Sequence, residues 1–131
     1  MILLRLGNKQ RIAKDIIKYF PAHKVYVEPF FGAGGMFFNK PKVKHNIVND
    51  LDSDVFNLYQ VVMTKKDELL NLYKRTPYHT ELVKYWHKNQ EQDALKKAMR
   101  FLMLSNFVLN GRNSFKSPLL KGGFRGIYSL K

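Results

Sequence analysis

The chain has 131 residues and a mass of 15.4 kDa, with 45% hydrophobic and 25% charged side chains, which is typical of one packed domain and excludes wholesale disorder. It contains no cysteine, which excludes disulfides, thiolate metal sites and thiol nucleophiles and suits a reducing compartment. Lysine and arginine number 23 against 10 acidic residues, a net charge of +13, so the composition favours a polyanionic partner, although a solvated basic face would give the same count.

The first 50 residues alternate between helix and strand patterns. Isoleucines at helical spacing, followed by Pro21, predict a helix over residues 9–20. β-branched and aromatic residues predict a strand over residues 24–27, which leads into a glycine-rich turn at residues 28–35. A second strand is predicted over residues 45–49, and an acidic turn ends it.

Helical patterns dominate the rest of the chain. Ser53 is the predicted N-cap of a helix, with Asp54 in its first turn. The later apolar repeats predict helices around residues 69–73, 82–86 and 95–104, with a break near Pro77, Tyr85 and Trp86 in the core, and hairpins or loops from Asn106 onward. This order of elements predicts an α/β fold with a parallel sheet, with two strands of an α+β domain as the alternative.

The loops after the two predicted strands carry the candidate chemistry. Ligands of a parallel sheet bind beyond the carboxyl ends of the strands, where this sequence has Glu28, three glycines between residues 32 and 35, and Asp50. The glycines would let a ligand approach the backbone, and Asp50 follows at the interval at which a carboxylate meets ribose hydroxyls. A dinucleotide motif would have a third glycine where this chain has Phe37, and Glu28 would repel a pyrophosphate. The pattern therefore favours a cationic nucleoside such as S-adenosylmethionine.

Residues 27–35, Val-Glu-Pro-Phe-Phe-Gly-Ala-Gly-Gly, resemble the cofactor motif of the Dam-like family of DNA adenine methyltransferases. Three other segments resemble motifs of this family in the same order. Residues 6–9, Leu-Gly-Asn-Lys, resemble its N-terminal motif, and residues 49–52, Asn-Asp-Leu-Asp, resemble its ribose-binding acidic turn. Residues 101–111 resemble the helix and Asn-Gly turn at which its target-recognition region begins. The resemblance covers the whole chain.

The resemblance implies a Rossmann-like S-adenosylmethionine-dependent methyltransferase fold, incomplete, with a helical insertion that begins the target-recognition region. Residues 1–76 would be the N-terminal part of the cofactor-binding domain, and residues 77–131 the helical and hairpin start of the region that recognises DNA. It implies methyl transfer from S-adenosylmethionine to the exocyclic amino group of adenine in double-stranded DNA. The expected cofactor contacts are Lys9, Glu28, Pro29, Phe30, Gly32, Gly34 and Asp50, and the expected DNA contacts are Asn110, Arg112 and Lys116.

This sequence departs from the family's pattern at the catalytic motif. Family members carry an Asp-Pro-Pro-Tyr type motif after the target-recognition region, and this sequence contains no Pro-Pro pair. No catalytic residue is therefore predicted in this chain, and efficient transfer would need a second polypeptide or a missing C-terminal half. The chain resembles the first half of such an enzyme, as an expressed fragment, a truncated gene product or one piece of a split enzyme.

The remaining expectations concern partners and alternatives. The four histidines lack metal-ligand spacing, and no apolar stretch approaches the length of a membrane span, so we expect no metal, no membrane and a cytoplasmic location. No acidic residue follows Asp93, and the basic and aromatic residues beyond it suit contacts with phosphates and bases. Two alternatives stay open: a non-catalytic nucleic-acid-binding domain with a relic cofactor pocket, and a dinucleotide-dependent oxidoreductase fragment.

Overall fold

The computed structural model describes residue 3 and residues 7–107 of the chain. Two strands lie in its first half, and helices make up most of the remainder. The strands are β1 (Val25–Glu28) and β2 (His45–Val48), and the α-helices are α1 (Ala13–Ile17), α2 (Ser53–Thr64), α3 (Lys66–Arg75), α4 (Thr80–Lys88) and α5 (Ala94–Phe107). This part of the chain is therefore α/β, as predicted.

The prediction of one continuous helix over residues 9–20 is wrong. The segment divides into a 3-10 turn at Lys9–Arg11 and the five-residue α1, with Ile12 between them at φ −105° and ψ 0°. The side chain of Asn8 caps the 3-10 turn. After α1, backbone N–H groups bond to carbonyls three residues earlier, so the chain tightens into a turn before Pro21 and does not extend the helix.

The two strands form a parallel pair, with Val25 opposite His45, which confirms the parallel prediction. The first strand begins one residue later than predicted and ends at Glu28. Because side chains alternate between the two faces of a strand, Val25, Val27 and Ile47 share one face, and each of them is 49–55% exposed. One apolar face of the sheet is thus open to solvent within the described residues.

The prediction that Ser53 caps α2 is wrong by one residue. Asp52 is the N-cap, and its carboxylate accepts a hydrogen bond from the Asp54 N–H at 2.9 Å. A carboxylate at this position satisfies a free N–H group and lies at the positive end of the helix dipole, so it competes well with the neighbouring serine. Asp54 lies in the first turn as predicted, and it also forms an ion pair with Lys97 at 3.3 Å.

The core lies between helices. Helix α5 packs against α2 and α3, and Leu58, Met99 and Met103 are almost completely buried among them. Trp86 is buried as predicted, whereas Tyr85 is 53% exposed, so its predicted core position is wrong. Successive helical residues point about 100° apart, and the apolar face of α4 is too narrow to include both rings. Other members of the core cluster are Leu3, Phe31, Ala33, Val55, Val61, Leu69, Ala98, Phe101, Leu102 and Leu104.

The structure describes only some of the residues to which the predictions for the C-terminal part refer. Helix α5 continues to Phe107, so Asn106, the predicted start of the loops, is helical. The other predicted hairpins or loops, and the expected DNA contacts Asn110, Arg112 and Lys116, lie outside the described residues. The division between residues 76 and 77 stays a prediction. None of the described helices has the length and apolar character that crossing a bilayer requires.

Candidate functional site

The loops that follow β1 and β2 are held together by hydrogen bonds. The Asn49 N–H donates to the Glu28 carbonyl at 2.9 Å, and the Phe31 N–H donates to the Asn49 carbonyl at 2.9 Å. The Asn49 amide also donates to the Pro29 carbonyl at 3.3 Å. These bonds extend the strand pairing by one step and place the glycine loop against the acidic turn at the carboxyl ends of the strands.

The carboxylate of Asp50 joins the two loops directly. Its Oδ2 accepts a hydrogen bond from the Gly32 N–H at 2.6 Å, and its Oδ1 accepts one from the Asp52 N–H at 2.9 Å. Hydrogen bonds to an ionised acceptor are shorter and stronger than neutral ones. A carboxylate has about four lone-pair sites, so Asp50 can hold the loop and still accept hydrogen bonds from a ligand.

The three loop glycines differ in what a side chain at each position would meet. A Cβ at Gly32 would meet no atom within 4 Å, and its φ of +53° favours glycine. A Cβ at Gly34 would lie 2.5–2.8 Å from the rings of Phe38 and Phe31, and one at Gly35 would overlap the side-chain oxygen of Asn8. At Gly34 and Gly35 the absence of a side chain therefore serves packing within the protein, and the approach of a ligand to the three glycines stays a prediction.

These loops enclose a cleft of about 350 Å³ with the N-terminal turn. Five of the seven predicted cofactor contacts line it: Lys9, Glu28, Phe30, Gly32 and Asp50. The other predicted contacts, Pro29 and Gly34, are not among the lining residues. Pro29 contributes its carbonyl to the link between the loops, and Gly34 packs beneath aromatic rings.

The cleft also contains residues that were not predicted as contacts. Gly7 and Asn8 line it beside Lys9, and their signal in the sequence is the N-terminal motif that also contains Lys9. Phe31, Ala33, Gly35 and Met36 line it too. Of the two adjacent phenylalanines, Phe30 is 87% exposed and Phe31 is 7% exposed and belongs to the core cluster. Phe31 therefore combines a position in the core with a place in the cleft lining, whereas Phe30 lines the cleft from an exposed position.

Two carboxylates dominate the electrostatics of the cleft. Burial raises the pKa of Glu28, although a hydrogen bond from Tyr26, one from the Phe37 backbone and the charge of Lys40 act in the opposite direction. The Tyr26 hydroxyl donates to Glu28 Oε2 at 2.9 Å. Lys9 is the one basic residue among the described residues that line the cleft, and its Nζ donates to the Gly7 carbonyl at 3.1 Å. Two acids against one base favour a ligand that carries positive charge.

Titratable and basic side chains also lie outside the cleft. No group of three His, Asp or Glu side chains is placed to hold a metal ion within residue 3 and residues 7–107. Two of the three basic residues between Asp93 and the end of α5 have protein partners: Lys97 pairs with Asp54 at 3.3 Å, and the Arg100 Nε donates to the Trp86 carbonyl at 2.8 Å. A second, polar cavity of about 240 Å³ lies beside them, between the start of α2 and α5.

Comparison with known proteins gives consistent matches. The model of the D12 class N6 adenine-specific DNA methyltransferase family matches residues 6–128. The DNA adenine methylase of Salmonella typhimurium is 31% identical over 111 residues, which cover 80% of this chain and 40% of that protein. The DNA adenine methylase of Vibrio cholerae serotype O1 is 29% identical over 124 residues, covering 90% and 43%.

A phage protein matches over a similar length of the chain. The DNA N-6-adenine-methyltransferase of Escherichia phage P1 is 31% identical over 111 residues, which cover 80% of this chain and 15% of the phage protein. The chain thus spans about 40% of the length of the bacterial relatives. The matched region includes the glycine loop, the acidic turn and the helices that pack behind them.

Proposed function

The chain belongs to the D12 class N6 adenine-specific DNA methyltransferase family, and from this premise we propose that the cleft between its glycine loop and acidic turn binds S-adenosylmethionine. The observation that carries the proposal is the meeting of Glu28 and Asp50 in one cleft, at the ends of two adjacent parallel strands. We further propose that the two strands are the start of a larger Rossmann-like sheet, in which this position is the usual ligand crevice.

The residues present fit this cofactor in charge and size. S-adenosylmethionine carries an ammonium group and a sulfonium centre, and the cleft has two carboxylates against one lysine. Its volume of about 350 Å³ is within the range of small-molecule sites. The pyrophosphate of a dinucleotide would face the same two carboxylates, so the charge of the cleft opposes the oxidoreductase alternative.

We assign a separate task to each side chain. Asp50 accepts hydrogen bonds from the ribose hydroxyls while it holds the Gly32 N–H, Glu28 supplies a second acceptor, and the exposed ring of Phe30 gives the adenine a flat apolar surface. When bound, S-adenosylmethionine supplies an electrophilic methyl group on its sulfonium sulfur. The contribution of this chain is to bind and orient the cofactor.

The reaction itself belongs to the proposal as well. We propose that the complete activity is methylation of the adenine amino group in double-stranded DNA, which the names of the relatives favour over a non-catalytic nucleic-acid-binding role. Because the sequence has no Asp-Pro-Pro-Tyr type motif, we propose that methyl transfer requires a polypeptide that supplies it. A cytoplasmic location, where such DNA is found, stays a prediction.

Calorimetric titration of the full 131-residue chain with S-adenosylmethionine, and separately with NAD, tests the binding proposal. We expect saturable binding of S-adenosylmethionine, at least tenfold weaker in Glu28→Ala, and none of NAD. Asp15→Ala is the matched control, because the Asp15 side chain is 75% exposed and pairs with Lys18 three residues away. A folded chain that prefers NAD, or that binds neither compound, would overturn the proposal.

DNA binding by the basic C-terminal residues needs its own experiment. We expect the affinity of the chain for duplex DNA to fall as salt rises, with a log–log slope of about 0.9 in magnitude for each phosphate that a basic side chain neutralises. Arg112→Ala and Lys116→Ala should therefore each flatten the slope, whereas Lys18→Ala, in an exposed pair on α1's C-terminal side, should not. An affinity that does not change with salt would contradict the expected phosphate contacts.

A further inference from the structure

We propose that Tyr26 is a positioning residue for cofactor binding: its hydroxyl holds the Glu28 carboxylate in the orientation that lines the cleft, and Lys40 in turn holds the Tyr26 ring. This inference rests on the proposed function, because it takes Glu28 as a cofactor contact. It assigns roles to a tyrosine and a lysine that are not among the residues lining the cleft.

The alternation of β1 places Tyr26 and Glu28 on the same face of the sheet. The Tyr26 hydroxyl donates to Glu28 Oε2 at 2.9 Å, which uses one lone pair of the carboxylate and leaves the others for a ligand. A glutamate has three rotatable side-chain bonds, and fixing them before binding removes an entropy cost that the ligand would otherwise meet. The hydrogen bond therefore holds the Glu28 carboxylate in place before the cofactor binds.

Lys40, in the segment between the two strands, completes the arrangement through a contact with β2. In the parallel register Tyr26 lies opposite Asn46. The Lys40 Nζ donates to the Asn46 side-chain oxygen at 2.6 Å and lies 4.4 Å from the centroid of the Tyr26 ring, with the Phe37 ring 5.3 Å away. A lysine ammonium over an aromatic face is attracted by the quadrupole of the ring, whose face is electron-rich. The ring of Tyr26 is thus held from the side of β2, while its hydroxyl reaches Glu28.

Charged and titratable groups from several elements surround Glu28. Tyr26 and Lys40 both lower its pKa, against the larger effect of burial. Tyr59 lies on α2, and its burial together with the negative charge of Glu28 raises the pKa of its hydroxyl to about 12. Lys9 and Asp50 line the same cleft. Since the Tyr26 hydrogen bond favours the ionised carboxylate, its removal must shift the ionisation of Glu28 to higher pH.

The test compares wild type, Tyr26→Phe and Lys40→Met in the full 131-residue chain. Tyr19→Phe is the matched control: it also removes one hydroxyl, from a ring that is 79% exposed. The first measurement is an NMR titration of the Glu28 carboxyl carbon without ligand. We expect Tyr26→Phe to move its midpoint to higher pH, Lys40→Met to move it in the same direction, and Tyr19→Phe to leave it in place.

The second measurement is the affinity for S-adenosylmethionine between pH 5 and pH 8. We expect Tyr26→Phe to weaken binding about threefold to tenfold at pH 7, which is the effect of removing one hydrogen bond. We also expect the pH at which affinity falls on acidification to be higher in this variant than in wild type. An unchanged Glu28 midpoint in Tyr26→Phe overturns the positioning role. If wild type binds no S-adenosylmethionine, the proposed function fails, and the ligand-free titration still decides whether Tyr26 controls Glu28.

Discussion

Gly35 should be intolerant of any side chain, although its backbone is not in the left-handed region. A Cβ there would overlap the Asn8 side-chain oxygen and would lie 2.8 Å from the Gln10 nitrogen and 3.0 Å from the Lys9 nitrogen. Two of these atoms belong to the backbone, so the 3-10 turn must move away from the loop. Overpacking of this kind costs about 1–3 kcal/mol, which corresponds to a fall of about 1 M in the urea midpoint at typical slopes.

The assay combines urea unfolding of Gly35→Ala with amide NMR spectra. Gly32→Ala is the control, because a methyl there meets no atom within 4 Å and costs only the strain of its φ of +53°, about 1–2 kcal/mol. We expect both variants to lose stability, but only Gly35→Ala to shift the Lys9 and Gln10 amide signals. Wild-type stability together with unshifted signals in Gly35→Ala would refute this reasoning.

Three further predictions concern the carboxylates and the core. Asp50→Ala leaves two backbone N–H groups of the loops without their acceptor, so thermal unfolding should show a loss of about 1–3 kcal/mol, against almost none for the exposed Asp15→Ala. The pKa of Glu28 is raised in the folded chain, so the ionised carboxylate opposes folding at pH values above the pKa of the unfolded chain. Glu28→Gln should therefore raise or preserve the melting temperature at pH 7, and this advantage should disappear as the pH falls below about 4. The affinity of the same variant for the cofactor should drop. Leu58→Ala, at a fully buried position in α2, should cost about 2–5 kcal/mol in urea unfolding, and Leu51→Ala, at a position 97% exposed, close to nothing; equal losses would contradict the described core.

Local sequence was sufficient for the existence and type of most elements. Apolar spacing predicts helices where α2 to α5 lie, and β-branched runs predict both strands to within a residue of their observed bounds. Local sequence was not sufficient to predict the residues at which the helices begin and end. Asp52 and Ser53 are both good caps, and only the backbone dihedrals at Asp52 select it. Likewise the apolar repeat over residues 9–20 does not reveal the interruption at Ile12.

The motifs of residues 6–9, 27–35 and 49–52 by themselves predicted the family, and five of the seven cofactor contacts predicted with them line one cleft, because residue types in order carry that information. Tertiary structure alone decided what each residue contacts. That Asn8 occupies the space beside Gly35, that Asp50 holds the Gly32 N–H, and that Lys40 reaches the Tyr26 ring all depend on atoms brought together from distant parts of the chain. Sequence patterns report local periodicity and chemistry, whereas the occupant of a given space is set by packing between elements.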